Sequence, residues 1–163
     1  VAAAHVQRRR AGHPARVGQV LTATPVDATP NQPLAAAAEL PLVFDLAQQI
    51  FDLVDGRQNL SPTKFIEMMG LDLDAFATNA HVHRDTITRS PAAKSIQSFI
   101  HTNLQVLAAV MDVSEDGLHA AIFWYRNEPL AVFGHKTAEK LVTEGRAANV
   151  VDLLASYQAG FVG

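Results

Sequence analysis

Residues 71–90 read LDLDAFATNAHVHRDTITRS, and the spacing inside this stretch decides the fold class. Leu73, Phe76, Ala77 and Ala80 recur at the intervals of a helix face, not with the strict alternation of a half-buried strand. The Asp72 carboxylate stands where it can cap the first backbone donors of a helix over 73–80. A short second helix is predicted from about Arg84 to Arg89, so two helices flank a turn at His81. The same signals extend in both directions. Upstream, Ser61-Pro62 pairs an N-cap with a proline at the first helical position, and that helix runs through Phe65, Ile66 and Met69 to Gly70. Leu42, Leu46, Ile50, Phe51 and Val54 form an earlier stripe, closed by Asp55-Gly56 as a left-handed stop. Downstream, Ser90-Pro91 repeats the cap signature and opens a longer helix with Ile96, Phe99, Ile100, Asn103, Leu104, Leu107 and Val110 on one face. Further helices are expected from Ser114 to about Arg126, from Thr137 through Leu141 and Val142, and over Ala148 to Tyr157. No stretch reads as a convincing strand pair, so the predicted fold class is all-α.

Composition narrows the function classes. The 163 residues are 48% hydrophobic and 18% charged, with a mean hydropathy of +0.08, values that suit a soluble domain. There are no cysteines, which excludes disulfides, thiolate metal sites and thiol nucleophiles. No apolar run reaches the roughly 18 to 20 residues of a membrane span, and Arg8–Arg10 are followed by no hydrophobic region of an export signal. A cytoplasmic location is expected. Val1 as first residue leaves the natural start open.

Charge is unevenly distributed. Residues 1–41 hold five of the eight prolines, four arginines, one Asp and one Glu, and no aromatic residue. Such a segment buries too little apolar surface to offset its ordering entropy, so it reads as a flexible basic arm. Its net charge is +2, which leaves −5 of the total −3 on residues 42–163. An acidic body is a poor stand-alone ligand for nucleic acid, so any DNA contact must be local.

Residues 71–90 resemble a helix-turn-helix of the Xre/Cro repressor type, through small Ala77 at the helix crossing, Phe76 and Val82 around the turn, and Ile87 on the inner face. His81 stands where that family usually has Gly, and Ser90 where an aliphatic is usual. The resemblance directs His83, Arg84, Asp85, Thr88 and Arg89 outward toward DNA, with Lys94 nearby for a phosphate. A helix pair that only packs is the alternative. His81 and His83 lack a third ligand at metal spacing and read as exposed turn histidines. His83-Arg84-Asp85 matches a kinase triplet, but no glycine-rich loop or Asp-Phe-Gly accompanies it. With no other nucleophile, metal or cofactor motif, the chain is not expected to be an enzyme.

Residues 121–163, AIFWYRNEPLAVFGHKTAEKLVTEGRAANVVDLLASYQAGFVG, supply a second resemblance. Trp124, Asn127-Glu128-Pro129-Leu130, Phe133-Gly134-His135-Lys136-Thr137, Gly145-Arg146 and Val150-Val151-Asp152-Leu153-Leu154 are similar to the toxin-binding domain of the Xre/MbcA/ParS antitoxin family. Ala138 replaces a common Pro and His135 a common second Gly. Without the family, the segment is a small helical unit in which Leu141 and Leu153-Leu154 close on Phe123 and Trp124. Trp124 and Tyr125 read as core or as interface. Three regions are therefore expected: an arm over 1–41, helices with the helix-turn-helix over 42–111, and a toxin-binding domain over 112–163.

The resemblance implies an antitoxin of a type II toxin-antitoxin pair that neutralises a RES-domain, NAD-degrading toxin and autoregulates its operon through operator DNA. It implies toxin contacts at Arg126, Asn127, Lys136 and Arg146, and at Phe161 and Val162 in the apolar tail. A homo-oligomer within the toxin complex is expected, with no cofactor or metal. The long helix after Pro91 offers its apolar face to the core or to a dimer seam. The competing function is a plain helix-turn-helix transcriptional regulator. An acidic body with a small basic patch ranks toxin neutralisation ahead of DNA binding.

Overall fold

The structure, a computed structural model, describes residues 41–160. Of the arm expected over 1–41 only Pro41 is described, and it opens the first helix; the rest of the arm and the tail residues Phe161 and Val162 lie outside the described residues. The order is α1 (Pro41–Ile50), β1 (Phe51–Val54), β2 (Arg57–Leu60), α2 (Pro62–Met69), α3 (Leu73–Asn79), α4 (Arg84–Arg89), α5 (Lys94–Ser114), α6 (Leu118–Asn127), α7 (Ala138–Thr143) and α8 (Ala147–Gln158). The all-α class holds, with one local exception.

That exception is the segment after Ile50. Phe51 and Val54 do not extend the first helix; they open and close β1, which pairs antiparallel with β2 from Phe51↔Leu60 to Val54↔Arg57. Asp55 at φ 52° and Gly56 at φ 73° form the two-residue turn. Asp-Gly is a helix stop in one context and a type I′ hairpin turn in another, and here the second use wins. Gln97 of α5 fixes the hairpin in place. Its Oε1 accepts from the Leu60 N–H and its Nε2 donates to the Leu60 carbonyl, both at 2.9 Å, so one side chain substitutes for a third strand at that position.

The caps explain most other boundaries. The Ser61 hydroxyl accepts from Lys64 N–H, Asp72 from Ala75 N–H and Thr137 from Lys140 N–H, while Gly70 stops α2 in the left-handed region. Two expected starts move. Ser90-Pro91 forms a turn, and α5 begins at Lys94 after Ala93, which offers no side-chain cap. Ser114 closes α5 instead of opening the next helix. Its hydroxyl donates to the Val110 carbonyl and accepts from Asp116 N–H, and α6 starts after Gly117.

α5 is the central element, packed against α1, α2, α6, α8 and β2. Ile96, Ile100, Leu104, Val106, Leu107 and Ala108 are fully buried along it, so its apolar face serves the core and not a dimer seam. Each buried aliphatic of this size contributes about 1.5–3 kcal/mol. Phe65, Phe76 and Phe99 meet edge to face at centroid distances of 5.4 to 6.3 Å and tie α2 and α3 to α5.

Candidate functional site

The stretch that resembles a helix-turn-helix forms α3 and α4, joined by the turn at His81. Phe76, Ala77 and Ile87 are buried and Val82 is half-buried, the roles expected of its interior positions. His81 adopts the left-handed conformation at φ 53° that a glycine would take without strain. It gains an anchor in return, because its Nε2 donates to the Thr143 carbonyl of α7 at 2.8 Å. Asn79 Nδ2 donates to Glu139 of the same helix at 3.2 Å, so α3 and its turn are tied directly to α7.

His83, Arg84, Asp85, Thr88, Arg89 and Lys94 are all exposed. Several of these charges already have partners. Arg84 Nη1 donates to both Asp74 oxygens at 2.9 and 3.1 Å, and Arg89 lies 4.0 Å from Asp85. His83 accepts the Asp85 N–H on Nδ1 as the cap of α4. Exposed pairs of this kind are worth about 0–1 kcal/mol, so a phosphate can displace them, but the face is close to electrically balanced. Among the described residues no three His, Asp or Glu groups converge as a metal site.

The C-terminal helices turn on Tyr125, not on Trp124 or Phe123. Tyr125 is buried and its hydroxyl donates to Asn103 Oδ1, while Asn103 Nδ2 donates to the Phe99 carbonyl at 2.8 Å. Burial pushes the Tyr125 phenol far above its ordinary pKa, so it remains a donor. Phe123, expected in the core, is 68% exposed. It lines an open cleft with Met68, Ile122, Arg126 and Asn127.

The four described toxin-contact candidates fall into two groups. Arg126 Nη1 donates to the carbonyls of Met69 and Gly70 at 3.1 and 3.2 Å, neutralising the C-terminal end of α2, and Asn127 Nδ2 donates to Phe123 O. Lys136 Nζ lies 2.8 Å from Glu144, and the Arg146 guanidinium covers the Phe133 ring at 5.2 Å. The Lys136 hydrogen bond, more than the charges of Lys136, Lys140 and Arg146, holds the Glu144 carboxyl below its ordinary pKa. Gly134 and His135, both at positive φ, turn the chain so that Leu130 N–H reaches the Lys136 carbonyl at 3.0 Å.

A further surface, not singled out by sequence spacing, gathers around Trp124. Trp124 and Tyr157 separate two adjoining depressions. One, of about 120 Å³, is lined by Val110, Val113, Ala120 and Leu154 with Asp116 at its edge. The other, of about 370 Å³, is lined by Pro129, Leu130, Ala131, Val132 and Leu153 with Glu128. Val132 is 69% and Tyr157 54% exposed. The available signal was the four-residue spacing of Leu153 and Tyr157 on one helix face beside the Trp124 motif.

No family model, curated protein or solved structure matches the chain. Among the described residues, no helix is long and apolar enough to cross a membrane.

Proposed function

We propose that this protein is a protein-binding antitoxin that neutralises a RES-domain, NAD-degrading toxin through its C-terminal helices. The observation that carries this reading is the apolar surface around Trp124 and Tyr157, which has no covering partner among the described residues and falls within the segment resembling a toxin-binding domain. Contiguous apolar surface beside a polar rim is what protein interfaces use, and Trp and Tyr are preferred anchors. The resemblance adds Arg126, Asn127, Lys136 and Arg146 as polar toxin contacts, and Phe161 and Val162 as apolar ones. The test is to mix the purified toxin with a stoichiometric excess of this chain. NAD consumption should stop, and undiminished consumption would overturn the assignment.

Autoregulation by DNA binding is the second role. It is favoured by the exposed row of His83 at the cap of α4 and Arg84, Thr88 and Arg89 on it. Because Asp74 and Asp85 pair with its arginines, binding to the upstream operator should be weak, steeply salt-dependent and helped by oligomerisation with the toxin complex. A fluorescence titration at low salt showing no binding, with and without toxin, would remove that role and the stand-alone regulator with it.

A further inference from the structure

We infer that the twin depression around Trp124 and Tyr157 receives a cationic amphipathic segment of the partner protein, apolar side chains inward and Lys or Arg at its edges. The inference rests on reading the C-terminal helices as the partner-binding part. Three observations lead to it. First, the depressions adjoin across Trp124 and Tyr157, so one short segment can fill both. Second, the charged residues lining them are Asp116 in one and Glu128 in the other, and no lysine or arginine lines either among the described residues. Third, Asp112 accepts a hydrogen bond from Gln158, next to Tyr157, and sets another carboxylate at the end of α8. An acidic or neutral segment would leave these carboxylates facing like charge or apolar surface, whereas a cation on each edge is matched. The Trp124 and Tyr157 rings add a face on which a guanidinium can lie.

Trp124 is the single tryptophan of the chain, so its emission reports occupancy directly. The probe is a peptide of about 14 residues in which Leu and Lys repeat at helical spacing, titrated into the full chain. Its counterpart carries Glu in place of Lys. Saturable change in Trp124 emission is expected with the Lys peptide alone. Affinity should fall about tenfold or more in the double variant Asp116→Lys, Glu128→Lys and stay unchanged in Asp45→Lys, which lies on α1. Equal binding of the Glu peptide, or equal loss in Asp45→Lys, would overturn the inference. Two other occupants give their own signatures. If emission changes on dilution of the chain without peptide, a second copy fills the surface. If Phe161→Ala with Val162→Ala raises peptide affinity severalfold, the chain's own tail fills it. Either result also overturns the inference. Toxin inhibition is read separately: if it persists when the peptide fails, the cleft chemistry falls alone; if it is absent when the peptide binds, the cleft chemistry stands and the antitoxin reading falls.

Discussion

Two exposed faces of this molecule meet water on different terms. The α4 face is charged, and its charges answer one another: Arg84 with Asp74, Arg89 with Asp85. The Trp124–Tyr157 face is apolar and has no such recourse. Every Å² it leaves in water forgoes roughly 25 cal/mol, while an exposed ion pair gains or loses only about 0–1 kcal/mol. A self-paired polar face gains little from a partner, whereas an uncovered apolar face gains the burial of each Å² a partner covers. The difference teaches which of two surface motifs to weigh more heavily when both are visible.

The largest expected effect breaks the comparison directly. Val132→Glu combined with Tyr157→Glu should weaken toxin binding at least about thirtyfold, about 2 kcal/mol or more, the scale of interface anchors. Both side chains are exposed, so the thermal midpoint should barely move. Arg84→Ala with Arg89→Ala should leave toxin affinity unchanged and weaken operator binding. A calorimetric titration showing the reverse ranking would mean that the α4 face is the toxin interface.

A middle-sized effect separates the apolar face from the scaffold that carries it. Trp124 and Tyr125 are neighbours on α6 that point to opposite environments. Tyr125→Phe removes only the hydroxyl and strands Asn103 Oδ1 in the core. The expected cost is about 1–3 kcal/mol of stability by denaturant unfolding, with unchanged toxin affinity for the folded protein. A lost affinity at unchanged stability would place Tyr125 in the interface instead.

Much of this was legible in the sequence, for reasons that are local. Ser61, Asp72 and Thr137 each cap the helix expected of them, because an N-cap side chain needs only the backbone three residues on. The Arg84–Arg89 helix has the expected bounds. The misreadings came where one local signal has two uses. Asp55-Gly56 serves a hairpin turn as readily as a helix stop, and partners outside the segment, among them Gln97, 37 residues from Leu60, hold the hairpin. Ser90-Pro91 and Ser114 carry cap chemistry that the chain spends on turns. The turn at His81 is legible locally, but its anchor, the Thr143 carbonyl, lies 62 residues away and no spacing rule reaches it. The twin depression is legible only in part: Leu153 and Tyr157 share a face of α8 by spacing, but Trp124 and Val132 come from elsewhere in the chain and no spacing rule brings them there.

The smallest effect tests whether the ionic corner behaves like the α4 face. Glu144 lies at the surface, and its carboxyl is held below its ordinary pKa first by the Lys136 hydrogen bond. A carboxyl lowered in the folded state binds its proton more readily when unfolded. Its contribution is therefore fully present above the unfolded carboxylate value of about 4.3 and is lost as pH falls through the lower folded value. Lys136→Met should remove that dependence, so the variant and the natural chain should differ slightly in thermal midpoint at neutral pH and converge on acidification below the carboxylate range. Lys136 bonds both Glu144 oxygens, as Arg84 bonds both of Asp74, so the two corners share a chemistry in which water replaces a lost partner at little cost. A large gap at neutral pH would show that Lys136 supports the Leu130–Lys136 turn beyond its charge. That turn carries Val132, and the ionic corner would then be part of the apolar face's own scaffold.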